Sequence, residues 1–326
     1  MKEKVNNNNQ SFMVGVMTLL FSQIIVKVLG LVYRMVITNI DGFGDIGNGL
    51  YGSGYQIYTL LLAIASIGVP NAISKLVSER LAVGKNKEAH EIFKTALILF
   101  SIIGFVASVF LFSCSGVIAK LMGNPEVQGV MIALSPAILF VSIAAVIRGY
   151  FNGMYNMRAT SNSQVLEQFF KSVFTIVFVQ IVAHVSIASS SWLANVLHIT
   201  AENRTMAMAI AGNAASTFAA MLGCLYLVLF YQRRKKEIWK DINNSKSEYK
   251  KEKRIKIMKR ILAISIPISL ASIVSAINRN IDTFTVVNGL KVALANWSTN
   301  IDAITDEATR LYGILSGKVD MLVGMP

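Results

Sequence analysis

Residues 149–185 read GYFNGMYNMRATSNSQVLEQFFKSVFTIVFVQIVAHV. Glycines, aromatics and small polar residues fill the first half, and from Ser172 onward the run is nearly all apolar. Between the two, Gln164, Glu167, Gln168 and Lys171 recur at three- and four-residue spacing, which on a helix places them on one face. On a helix starting near Ala159, Glu167 and Lys171 sit about 12–18 Å along the axis at a rise of ~1.5 Å per residue. Charge at that depth of a bilayer costs several kcal/mol unless it meets a partner or an aqueous cavity. Two readings fit the spacing. Glu167 and Lys171 neutralise each other at i,i+4, worth a few tenths of a kcal/mol on an exposed helix. Alternatively the stripe, with Ser161, is the polar wall of a cavity.

The rest of the chain supports a bilayer setting. Of its 326 residues 54% are hydrophobic and 15% charged, with a mean hydropathy of +0.54; soluble domains carry roughly a quarter charged residues. Crossing the hydrocarbon core takes about 20 apolar residues. Seven runs qualify: Phe12–Thr38, Leu50–Leu76, Ile92–Leu121, Val127–Ile147, Gln168–Val185, Thr205–Tyr231 and Ile261–Val287. An eighth starts near Leu311 and is still apolar at Met325–Pro326, so the sequence is read as the N-terminal part of a longer protein. The expected fold is an all-α, polytopic membrane helix bundle, cut within its eighth span. Phe12–Thr38 lacks an early small-residue cleavage site and is expected to remain as a span. Cys114 and Cys224 lie inside apolar runs without disulfide-scaffold or metal-site spacing.

The formal charge of +13 is concentrated in RRKKEIWKDINNSKSEYKKEKRIKIMKR, Arg233–Arg260. Arg80, Lys85 and Lys87, and then Arg148 and Arg158, fall in connections on the same side, whereas Asn39–Gly49 and Met122–Gln128 contain no Lys or Arg. This asymmetry predicts a cytoplasmic N-terminus. Topology and attraction to anionic headgroups account for the basic run, and nucleic acid is not an expected partner. The sequence divides into an N-terminal six-helix lobe (1–231), a basic cytoplasmic linker (232–260) and the start of a second lobe (261–326).

Enzymatic chemistry has no visible seat. GFGDIG (Gly42–Gly47) and GNGLYG (Gly47–Gly52) match G-x-G-x-x-G, but they join two apolar helices instead of following a strand, so they are read as turn glycines and not as a nucleotide site. His90, His184 and His198 are scattered and lack metal-ligand spacing. No catalytic residue, metal or cofactor is expected. Other charges within the spans carry more information. Lys27 lies roughly 22 Å along the first helix, far from both ends, and Arg34 a further ~10 Å on, near the far interface. Arg279 and Asp282 lie roughly 27–32 Å along the seventh. Pro70 and Pro267 interrupt helical hydrogen bonding and permit kinks.

Three stretches carry a family resemblance. Gly49–Glu79, GLYGSGYQIYTLLLAIASIGVPNAISKLVSE, resembles the second-helix region of the polysaccharide-biosynthesis/stage V sporulation protein B-like flippases, which include the lipid II flippases and belong to the multidrug/oligosaccharidyl-lipid/polysaccharide exporter superfamily. Lys27–Asn39 resembles their first helix, and Arg148–Lys171 the segment joining their fourth and fifth. The resemblance implies two six-helix lobes around a central cavity and alternating access between inward- and outward-open states. It implies a bacterial cytoplasmic-membrane transporter, not an enzyme, that flips a lipid-linked oligosaccharide or peptidoglycan precursor, with a sodium ion or proton as coupling partner. Lys27, Arg34 and Arg279 are then the anion contacts, Gln164 belongs to the polar wall that meets the substrate, and Glu167, Lys171 and Asp282, also lining the substrate site, tune charge or couple to an ion. One departure stands out: lipid II flippases place an arginine late in the second helix, where Leu61–Ala65 is wholly apolar here. A different lipid-linked oligosaccharide or a sporulation role therefore stands beside a peptidoglycan precursor. A sodium- or proton-coupled multidrug exporter, favouring acidic cavity residues, and a non-transporting envelope-synthesis scaffold are the rival readings.

Overall fold

The computed structural model describes residues 2–187, 203–243 and 252–319, with side chains over 13–185, 203–243 and 252–319. Among these residues the secondary structure is entirely helical: α1 (Lys2–Thr38), α2 (Gly44–Leu62), α3 (Val69–Ala82), α4 (Asn86–Leu121), α5 (Val127–Gly153), α6 (Met157–Ile187), α7 (Arg204–Asn243), α8 (Arg254–Ala293) and α9 (Ile301–Ile314). A wide-turn π stretch, Ala63–Ile67, joins α2 to α3, and a second one, Leu315–Val319, prolongs α9. Counting α2 and α3 as one, seven of these helices are long and apolar enough to cross a membrane. Their ends define two faces of the bundle. The turns at 39–43 and 122–126 mark a glycine end; the turns at 83–85 and 154–156, the end of α7 and the start of α8 mark a basic end.

Pro70 accounts for the break in the second span. Proline lacks an N–H and its ring clashes with the carbonyl four residues back, and local widening is a known accommodation. Here the π stretch precedes Gly68, whose N–H donates to Ser269 Oγ of α8 at 3.0 Å. Pro70 therefore opens α3 instead of kinking a continuous helix, whereas Pro267 and Pro136 lie inside α8 and α5.

Two apolar cores form, one toward each end. Tyr51, Leu134 and Met208 belong to the first, Phe93, Phe151 and Ile261 to the second. Large apolar side chains such as Phe105, Phe110 and Val117 of α4 are exposed on the outer surface, as a bilayer-facing wall requires.

Several expected boundaries move. The glycine stretch 41–54 is a turn only at its start, where Gly42 and Gly44 have positive φ. From Gly44 it is α2, and Gly47, Gly49, Gly52 and Gly54 are buried within it. A Cβ on Gly49 would lie 2.3 Å from the Thr309 carbonyl oxygen, and one on Gly313 only 1.8 Å from that of Asp45. These glycines let α2 and α9 touch backbone to backbone. The apolar run expected from Leu311 belongs to a helix that starts ten residues earlier, at Ile301, where Asn300 Oδ1 accepts from the Asp302 N–H at 2.9 Å. The basic segment between the sixth and seventh spans is largely helical: α7 runs to Asn243 and α8 starts at Arg254. Asn244–Ser245, His198 and Met325–Pro326 lie outside the described residues.

Candidate functional site

The elbow between α5 and α6 builds the site. Tyr155 adopts a left-handed φ of 58° in the turn, and Thr160 Oγ1 donates to Asn152 Oδ1 at 2.6 Å. This sets the last turns of α5 beside the first turns of α6. Arg148, placed by its sequence in a connection after Ile147, is instead inside α5 and turned inward. Its guanidinium donates to Glu167 Oε2 at 2.6 Å and to Ser163 Oγ at 2.9 Å, and its side chain is 11% exposed. Glu167 is therefore not neutralised by Lys171. Lys171 donates to the Tyr55 hydroxyl at 3.1 Å, with its ammonium 4.3 Å from the centre of the Tyr55 ring and 5.9 Å from that of Tyr33. Ring faces attract such a cation, so the tyrosines of α1 and α2 do for Lys171 what Arg148 does for Glu167.

Three chambers that share lining residues result. The largest, about 870 Å³, lies in the basic half between α1, α2–α3, α5, α6 and α8, with Gln23, Asn71, Arg148, Gln164 and Arg279 among its lining residues. A side chamber of about 190 Å³ shares Gln23, Arg148 and Gln164 with it and adds Tyr55, Tyr58, Glu167, Lys171 and Ser216. Gln23 Nε2 donates to Gln164 Oε1 at 2.8 Å where the two meet. Tyr55 also lines the third, of about 220 Å³, which contains Arg34 and Ser316. Arg34 is half-buried, its guanidinium carbon 4.5 Å from the Tyr51 ring centre and its Nη2 3.5 Å from the Asn48 carbonyl.

The structure thus gathers Gln164, Glu167, Lys171, Arg34 and Arg279 around one set of chambers. Arg279 is exposed into the largest. Lys27 is exposed on the α1 face that also carries Gln23, Gly30 and Arg34, and it has no hydrogen bond or ion pair among the described residues. Asp282 is exposed on α8, forms no ion pair among the described residues and lines none of the three chambers. Arg148 and the tyrosines 33, 51 and 55 were not singled out by the sequence reading. The signal for Arg148 was present: neither Gly nor Pro lies between Val141 and Arg148, so the helix continues through it.

The sequence profile of one family, described as polysaccharide biosynthesis protein, matches residues 12–325. The chain is 25% identical over 323 residues to stage V sporulation protein B of Bacillus subtilis, covering 97% of this chain and 55% of that protein. It is 30% identical over 169 residues to the lipid II flippase MurJ of the same organism, covering 49% of this chain and 31% of that protein. The chain thus spans about half the length of the first relative and a third of the second. Among solved structures, a MATE transporter in complex with MaD3S superimposes with a TM-score of 0.63 at 16% identity, over 95% of this chain and 63% of the other. A MOP superfamily transporter from Pyrococcus furiosus gives 0.59 at 15% identity, over 93% and 63%. These likenesses establish a fold shared with the MATE/MOP transporters.

Proposed function

The chain belongs to the polysaccharide biosynthesis protein family, and from that premise we propose that it moves a lipid-linked oligosaccharide or peptidoglycan precursor across the bacterial cytoplasmic membrane by alternating access. One observation carries the reading. The residues lining the three chambers include four cations, Arg34, Arg148, Lys171 and Arg279, and a single carboxylate, Glu167. Cations held in a low-dielectric cavity favour an anion such as a diphosphate, whereas an exporter of cationic drugs needs the opposite balance. The basic end is assigned to the cytoplasm, together with the N-terminus, because Lys and Arg concentrate there. The main chamber lies in that half, while α2 and α9 meet at the other end, an arrangement that suits a state receiving its cargo from inside. Arg279, exposed in the main chamber, and Lys27, exposed on the α1 face that carries Gln23 and Arg34, are assigned to first capture of the phosphates; a sodium ion or proton would drive the return.

Cells depleted of their own lipid-linked precursor flippase test this. Precursor accessible on the outer leaflet is expected to recover with the full-length protein and to stay low with Lys27→Ala or Arg279→Ala at equal abundance. Recovery unaffected by either substitution would favour the scaffold reading. No recovery by a correctly inserted protein would exclude these precursors as cargo.

A further inference from the structure

The side chamber has features that a passive stretch of cavity wall does not need. Ser216 of α7 lines it, is 6% exposed, and its hydroxyl has no hydrogen-bond partner among the described residues. A buried hydroxyl in that condition costs free energy that a bound group would recover. Lys171 has three N–H donors, and Tyr55 is its one hydrogen-bond partner among the described residues. The Tyr55 hydroxyl accepts from Lys171 and keeps its own proton to donate. Around a space of about 190 Å³, some six times the ~30 Å³ that a water molecule occupies in the liquid, there are thus unused donors from α2, α6 and α7. One anion is already present, the Glu167 carboxylate on the fork of Arg148.

We infer that this side chamber is an oxyanion site with Glu167 as its internal occupant, and that a phosphate group of the cargo enters by displacing that carboxylate from Arg148. The inference rests on the proposed function for its choice of cargo. Arg148 gives Glu167 a single Nη2 hydrogen bond while its Nε donates to Ser163, and a phosphate oxygen can accept that same charge-assisted bond in place of the carboxylate. Glu167 packs against Gly223 of α7, where a Cβ would lie 3.1 Å from its Oε2; with no side chain there, the carboxylate has room to turn. The phosphate gains Lys171, Tyr55 and Ser216 as donors. Pairing with Glu167 keeps the Arg148 guanidinium compensated when no cargo is bound, which a buried arginine requires.

Titration of the purified full-length protein with inorganic pyrophosphate, read by calorimetry, tests the site. Glu167→Gln removes the competing charge and is expected to tighten binding about tenfold, the equivalent of ~1.4 kcal/mol. Lys171→Gln is expected to weaken it by at least about tenfold and Ser216→Ala by several-fold, while Lys256→Gln, exposed on α8, leaves it unchanged. Unchanged or weaker binding by Glu167→Gln overturns the inference, as does a Ser216→Ala variant that binds like the parent; these two conservative changes decide even if Lys171→Gln fails to fold. A second arm uses a polyprenyl diphosphate in nanodiscs. Tighter binding than inorganic pyrophosphate, with the same variant ranking, identifies a lipid-linked source. Equal affinity leaves the oxyanion site standing and counts against the lipid-linked cargo.

Discussion

Arg148 and Glu167 illustrate how partners are chosen at the residue scale. On α6 alone, Lys171 is the neighbour Glu167 should take, one turn away. In the fold, an arginine nineteen positions back wins, because the α5–α6 elbow delivers its fork to 2.6 Å. Removing one member of a partly buried pair leaves the other uncompensated. Arg148→Ala is expected to destabilise the protein by about 1–3 kcal/mol, below the full cost of a buried charge because the Glu167 side chain is 25% exposed. Adding Glu167→Gln to Arg148→Ala should restore part of that loss, and thermal unfolding in detergent across the four-member cycle measures the coupling.

At the scale of elements, glycines decide how closely helices approach. Gly49 lies where a Cβ would fall 2.3 Å from a backbone oxygen of α9, whereas a Cβ on Gly289 of α8 would meet nothing within 4 Å. Opposite outcomes are expected from one chemical change. Gly49→Ala forces α2 and α9 apart at a cost of about 1–3 kcal/mol. Gly289→Ala gains helix propensity, at most about 1 kcal/mol. Melting temperatures of the two variants against the parent should move in opposite directions. The glycine pattern was plain in the sequence, yet it was assigned to a turn, because a run of glycines looks the same whether it bends a chain or admits a neighbour. Only the position of α9, some 250 residues on, distinguishes the two.

For the whole molecule, the glycine end is where α9 and the stretch that prolongs it meet α2 and the turn between α4 and α5. Asn124 Nδ2 donates to Thr309 Oγ1 at 2.8 Å, and Lys318 pairs with Asp45 at 2.7 Å. With Cys114 and Cys224 replaced, cysteines at 124 and 309 joined by a short bifunctional thiol reagent should hold this end shut and stop transport, with activity retained in the unjoined protein. Three carboxylates also meet here. Burial, then Asp306 and Asp302, push the Glu126 carboxyl above its usual range, and burial and Asp302 do the same to Asp306. A carboxyl with a raised folded-state value weakens the fold while ionised, and that penalty disappears as pH falls through the raised value toward the ordinary one. The amine of Lys291 donates to the Gly123 carbonyl at this end and offsets Asp302 in part. Thermal stability is therefore expected to rise as pH is lowered from neutral toward the ordinary carboxylate range near 4, and Asp306→Asn should flatten the rise.

The sequence by itself determined the number of apolar spans, the segregation of basic residues to one end and the family, because each follows from local composition or from ordered motifs. It also placed Gln164, Glu167 and Lys171 on one helical face, since periodicity is a property of a single helix. Tertiary structure alone decided what that face meets. Arg148, the caging tyrosines and Ser216 arrive from α1, α2, α5 and α7, and their convergence depends on helix packing that no local window of sequence contains. A charge inside a membrane declares that it needs a partner; which partner it finds is a matter of where the other helices cross.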